Sequence, residues 1–144
     1  MSDDKALIRA KLVSDKPDVL MQCLEQAARH MRIVGTGMVD VPFRDQKKRK
    51  YAVRDRILLY LIGKLYASKL GLTDRTKVCC VELQEQLSIK KSSTLRKRLS
   101  ELRGDGLIRE YRPGKTVYHE IERGQVRKTV ERIDAKYAGR PKDP

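Results

Sequence analysis

The sequence predicts a mainly α fold with a small β-hairpin or three-stranded sheet, an α+β arrangement. Three observations carry this expectation. A strong helical period runs over 53–70, and a second, leucine-spaced helix begins near Ser92. Gly106-Leu107-Ile108 then opens two short β-prone runs joined by Arg112-Pro113-Gly114-Lys115. The 144 residues suffice for one domain plus an extension, or for two small halves.

Residues 3–13 read two ways. Ser2-Asp3-Asp4 suits a helix start, whereas Leu7 to Val13 also suits a strand. Pro17 and Asp18 fit a first helical turn, and Leu20, Cys23, Leu24, Ala27 and Met31 recur at helical spacing, predicting a helix through Ile33. Gly35 and Gly37 break it, and Met38-Val39-Asp40-Val41 extends before Pro42. This stretch is too short to close a core alone, so it docks on the rest of the chain or on a partner.

Lys47-Lys48-Arg49-Lys50 is a basic junction, read as a solvated linker or as an arm that tracks phosphates. In the helix over 53–70, Ile57, Leu58, Leu61, Ile62 and Leu65 share one arc, while Leu59, Tyr66 and Leu70 share a second. One apolar stripe packs a helix on its domain; two require further cover. Residues 18–33 or another subunit supply it. Gly71 fits the helix stop.

Val78-Cys79-Cys80-Val81 reads as a third strand beside the hairpin, and Leu83 to Leu87 as a short helix. Ser92 is the candidate N-cap of the next helix, whose buried side carries Leu95, Leu99 and Leu102. Arg112-Pro113-Gly114-Lys115 has the Pro-Gly centre of a type II turn. Residues 125–137 form a closing helix with a narrow stripe of Val126, Val130, Ile133 and Tyr137. It packs on its own domain or pairs with a twin.

Charge adds a functional direction. The net charge is +14, yet residues 1–46 hold seven basic and seven acidic side chains. The whole excess therefore lies in 47–144, with 26 basic against 12 acidic. A basic part beside a neutral part suggests a polyanion-binding half and a half with another task. With no Trp and one Phe, the core is expected from Leu, Ile and Val. Cys23, Cys79 and Cys80 have no metal-ligand spacing and are expected as free thiols. The absence of a secretory apolar region or of a run of about 18 apolar residues points to a cytoplasmic, nucleoid-associated protein without a membrane partner.

The candidate binding residues follow from the helix wheel. Opposite the leucines, Lys90, Ser93, Lys97 and Ser100 point outward, with Lys91 beside them and Thr94 and Arg96 on the flanks. Small hydroxyls let a helix sit deep in a groove, while Lys and Arg reach phosphates or guanine acceptors. Arg98 lies nearer the leucines and is expected to run along the domain edge. Arg109, Arg112 and Lys115 are expected to crowd one hairpin tip. His119 shares a strand face with Val117 and Ile121, and His30 lies on the N-terminal helix; both have ordinary structural readings.

Residues 83–108 combine Leu-x-x-x-Leu-x-Ile, Ser-Thr-Leu-Arg-Lys-Arg-Leu-x-x-Leu and Gly-Leu-Ile. Together with the flanking elements over 53–121 they resemble the winged helix-turn-helix regulators of the ArsR and MarR kind. The resemblance implies that Ser93, Thr94, Arg96 and Lys97 face the major groove and that Arg112 and Lys115 are wing contacts. Two departures stand out: Ser88 replaces the usual turn glycine, and the turn is one residue longer. No metal-sensing cysteine box accompanies the helix. The implied organisation is an N-terminal extension over 1–46 for docking or dimerisation and a basic linker over 47–52. A winged domain over 53–123, a C-terminal helix over 124–138 and a tail over 139–144 follow. Within the tail, Gly139-Arg140-Pro141 resembles an AT-hook, with a frayed end as the alternative.

The expected function is double-stranded DNA binding by a transcription regulator, a homodimer through 57–70 and/or 126–137. RNA or ribosome binding is the alternative, and a purely protein-binding winged helix a third. Two histidines with structural readings, no Gly-rich phosphate loop and no close apolar carboxylate pair speak against an enzyme. No cofactor or metal is expected.

Overall fold

One helix, α3 (Val53–Lys69), organises the molecule in the computed structural model, and every other element is placed against it or beside it. The described residues are 4–5, 18–43 and 50–137. The expectations for residues 6–13, Lys47-Lys48-Arg49 and Gly139-Arg140-Pro141 fall outside them. The described chain is α+β, with six α-helices and two small antiparallel sheets.

Asp18 caps α1 (Val19–Gln22), its carboxylate accepting from the Leu20 amide at 2.9 Å. The single helix expected through Ile33 does not form. α1 ends at Cys23, α2 (Leu24–Ala28) follows, and Arg32–Ile33 is strand β1. The cause is tertiary. The Tyr66 hydroxyl donates to the Leu20 carbonyl at 2.6 Å, taking the acceptor that the Leu24 amide would use in a continuous helix. Leu24 is 40% exposed instead of joining the buried stripe.

β1 pairs antiparallel with β2 (Val39–Asp40), with Ile33 opposite Val39. This hairpin lies on α3 so closely that a Cβ added at Gly63 would meet Val39 Cγ1 at 2.4 Å and Met31 Sδ at 3.3 Å. Only a residue without a side chain fits there.

α3 is buried from Asp55 to Gly63 and again from Leu65 to Ala67. Both apolar arcs are therefore covered by the chain itself. Leu20, Cys23, Ala27, Met31, Val39 and Val41 from the N-terminal segment share one core cluster with Leu83, Leu95, Leu99, Leu102 and Ile121. Leu70, expected on the second arc, is instead exposed at the helix end. Four tyrosines, Tyr51, Tyr60, Tyr66 and Tyr137, join the core that composition assigned to Leu, Ile and Val.

β3 is only Val78–Cys79, and α4 (Cys80–Gln86) begins where the strand was expected to continue. α4 ends at Leu87 in a turn whose Ser88 takes φ 55°. The Ile89 amide bonds to the Gln84 carbonyl and the Ser88 amide to that of Glu85, the paired arrangement that usually selects glycine. Ser88 thus occupies the left-handed position itself, and the helix pair closes without the usual residue.

α5 (Ser92–Gly104) buries Leu95, Leu99 and Leu102 as expected. The Ser92 cap does not form. Lys91 is the capping residue, in extended backbone, and its carbonyl accepts from Thr94 and Leu95. Ser92 lies one residue inside the helix, where its hydroxyl accepts from Arg96 at 3.4 Å.

β4 (Ile108–Tyr111) and β5 (Tyr118–Ile121) form the hairpin, and the sheet order is β3-β5-β4. Six residues, 112–117, connect them, and Gly114 does not take the positive φ of a type II turn. A connection this long needs no left-handed residue to reverse the chain. After a 3₁₀ turn (Arg123–Gln125), α6 (Val126–Tyr137) buries Val126, Thr129, Val130, Ile133 and Tyr137 against its own chain. Both surfaces expected for a homodimer, 57–70 and 126–137, are thus largely spent inside the monomer.

Candidate nucleic-acid interface

The leucine side of α5 packs inward, so geometry turns Ser93, Arg96, Lys97 and Ser100 outward, and all four are exposed. Lys90 and Lys91, in the turn before the helix, are exposed as well. Thr94 is half-buried, on the flank. Among the described residues, neither the N-terminal segment nor α6 covers this face. Among the described residues no carboxylate pairs with Lys90, Lys91, Arg96, Lys97 or Lys115.

The hairpin differs. Arg109 does not reach the tip. Its strand register sets it opposite Glu120, and its guanidinium lies 3.5 Å from Glu120 and 3.3 Å from Glu122. The tip lies at the other end, beyond the Tyr111–Tyr118 pair. Arg112 is near the tip and exposed, but 3.6 Å from Glu110. Glu110 also holds Arg103 of α5, stapling the helix to β4. Lys115 alone among the three expected hairpin cations is unpaired. The positive field is therefore concentrated on α5 and the turn before it, and diluted on the hairpin.

The orientation of α5 is set from behind. Arg56 of α3, 6% exposed, donates from Nη1 to the Leu87 carbonyl at 2.8 Å, which anchors the turn. Burial pushes its guanidinium pKa below the ordinary value. Phe43 covers its other side, 5.0 Å from ring centroid to guanidinium. Tyr60 and Lys64 of α3 hold Glu82 of α4 at 2.5 and 3.2 Å. Arg54 reaches Asp105 at the end of α5 at 2.6 Å. Arg98, expected along the domain edge, is half-buried and held by Glu101 at 2.9 Å.

Two polar clusters escaped sequence reasoning. His30 is 2% exposed and lies between the Tyr51 hydroxyl at 2.7 Å and Asp134 Oδ1 at 2.9 Å. Asp134 also takes both ends of Arg29, at 3.0 and 3.1 Å. Burial raises the Asp134 pKa, but the bonds from Arg29 and His30 outweigh it and hold the carboxyl below its usual range. This cluster latches the N-terminal segment to α6. The second centres on Asp55, which receives Tyr137 at 2.6 Å, Arg132 at 2.9 Å and Lys136 at 3.1 Å. Burial again pushes up, and those three donors bring the net shift down. No single-residue pattern pointed to either, because each central carboxylate lies over 75 positions from the donors named for it.

His119 is buried, 2% exposed. Its Nε2 lies 3.6 Å from Cys80 Sγ. Burial, with Arg103 nearby, lowers its pKa, and burial raises that of Cys80. Among the described residues no group of His, Cys, Asp and Glu is placed to hold a metal, and no helix is long and apolar enough to cross a membrane. No family model, no curated protein and no solved structure matches the chain.

Proposed function

We propose that this chain is a double-stranded DNA-binding protein of the winged helix-turn-helix kind, serving in transcription regulation. α5 would enter the major groove and the β4–β5 hairpin would act as the wing. One observation carries the reading. The outward face of α5, with Ser93, Arg96, Lys97 and Ser100, is exposed together with Lys90 and Lys91 just before it, and none of these cations has a carboxylate partner among the described residues. The order α3-β3-α4-α5-β4-β5, with sheet order β3-β5-β4, supports it, because it braces one helix between a bundle and a hairpin. Ser93, Lys97 and Ser100 would face base edges, while Lys90, Lys91 and Arg96 would meet phosphates. Lys115, with Arg112 beside it, would follow the backbone from the wing.

Duplex RNA is the rival polymer, and its major groove is too narrow for helix insertion. Gel shifts of the wild type and Lys97→Ala on random duplex DNA and duplex RNA separate the two. The DNA reading expects Lys97→Ala to weaken DNA binding and leave any RNA binding nearly unchanged. Equal losses on both, or a stronger loss on RNA, would reverse the assignment.

A further inference from the structure

Below the hairpin tip, where the segment before β3 meets β4 and β5, lies a concavity of about 270 Å³. Its lining is Asp74, Arg75, Thr76, Lys77, Tyr111 and Tyr118. Tyr111 and Tyr118 are direct cross-strand partners, so both side chains leave the same face of the sheet. Tyr111 is 48% exposed, whereas four of the six tyrosines are buried and Tyr118 is half-buried. Lys77 Nζ stands 4.9 Å from the centre of the Tyr111 ring.

The loop that supplies the cations is fixed. The Arg75 amide donates to Thr73 Oγ1 at 3.1 Å, and Thr76 Oγ1 donates to Glu120 at 2.7 Å. Among the described residues neither Arg75 nor Lys77 has a carboxylate partner. An accessible aromatic ring, two cations and a shallow hollow are the parts of a stacking platform for a nucleobase with its phosphates. A paired base inside a duplex has both faces taken by its neighbours. Only an unpaired base has a face to give.

We propose that this concavity holds one unpaired nucleobase at an end or junction of a bound duplex. The base stacks on Tyr111, and Lys77 swings from the ring to the adjoining phosphate, with Arg75 beside it. The cation–ring contact is weak at so exposed a place, so Lys77 exchanges it readily. Asp74 offers a carboxylate acceptor to the exocyclic amino group of adenine. This inference rests on the DNA-binding reading and adds a second subsite to it.

The test compares a blunt DNA duplex with the same duplex ending in three unpaired deoxyadenines, at fixed salt. The wild type is expected to bind the overhang form about 5- to 100-fold more tightly, the usual worth of one stacked base. Tyr111→Ala should erase that preference while keeping blunt-duplex affinity within about twofold, and Tyr111→Phe should retain it. Circular dichroism checks that each variant is folded. An overhang of riboadenines tells an RNA tail from a DNA end as the source, by which of the two binds more tightly. Normal binding of the blunt duplex without overhang preference would overturn the subsite and leave the DNA reading standing. Binding of neither duplex would overturn both.

Discussion

The salt dependence of DNA binding tests the proposed interface most directly, because the structure supplies a count of the cations left without carboxylate partners. Five cations on the α5 face and hairpin tip have no carboxylate partner among the described residues: Lys90, Lys91, Arg96, Lys97 and Lys115. Each neutralised phosphate contributes about −0.9 to the slope of log affinity against log salt, so five give about −4.5. Between 50 and 200 mM monovalent salt, that slope amounts to about a 500-fold loss of affinity. Arg109 and Arg112 are tethered to glutamates. If both exchanged those partners for phosphates, the count would rise to about seven and the slope to about −6.3, a loss of about 6,000-fold. Fluorescence anisotropy on a random duplex across a potassium chloride series measures this. Lys97→Ala should reduce the slope by about 0.9 at every duplex sequence tried. A slope shallower than about −2, or one indifferent to Lys97→Ala, would refute α5 as the contact surface.

Four further outcomes follow from the same geometry. Glu110→Gln removes the carboxylate that holds Arg103 and Arg112, so the salt slope should steepen by about 1 to 2 while thermal stability changes little. Ser88→Gly should stabilise the fold by about 1 kcal/mol, seen as a higher denaturation midpoint, because Ser88 sits in left-handed backbone. Gly63→Ala should destabilise by about 1–3 kcal/mol through its collision with Val39. The same change made in a Val39→Ala background should cost less, and equal costs in both backgrounds would contradict the packing. Asp55 has a folded-state pKa below its unfolded value. Its contribution to stability is therefore complete above the unfolded pKa of about 4, and is lost as pH falls through the lower folded value. Urea midpoints at pH 6 and pH 3 should show wild type and Asp55→Asn well separated at the first and closer together at the second.

Where period and burial coincided, the sequence was a sufficient guide. The leucines of α5, the stripe of α6 and the Gly106-Leu107-Ile108 step into β4 lie where their spacing puts them. The N-terminal helix was misread because its interruption comes from Tyr66, 46 positions away from the carbonyl it takes. Period alone holds no trace of such a bond. Arg109 differs for a related reason: it looks like an open cation until strand register brings Glu120 beside it, whereas the partner of Arg112, Glu110, stands two residues before it in the chain. Arg96 and Lys97 were legible because the leucines across the wheel turn them outward. Tyr111 and Lys77 gave no signal, since their pairing depends on β3 joining the hairpin from 34 positions upstream.

The enclosure of α3 bears on how this molecule can be taken apart. Its first turn carries the hooks that aim α5, while its later turns are roofed by the strands and short helices that precede it in the chain. A fragment trimmed to the basic half would bare Tyr66, Ile62 and the smooth notch at Gly63 to water. The neutral segment is therefore a lid on the same box, and dissecting the two halves for separate study would yield a sticky remnant in place of a smaller working part.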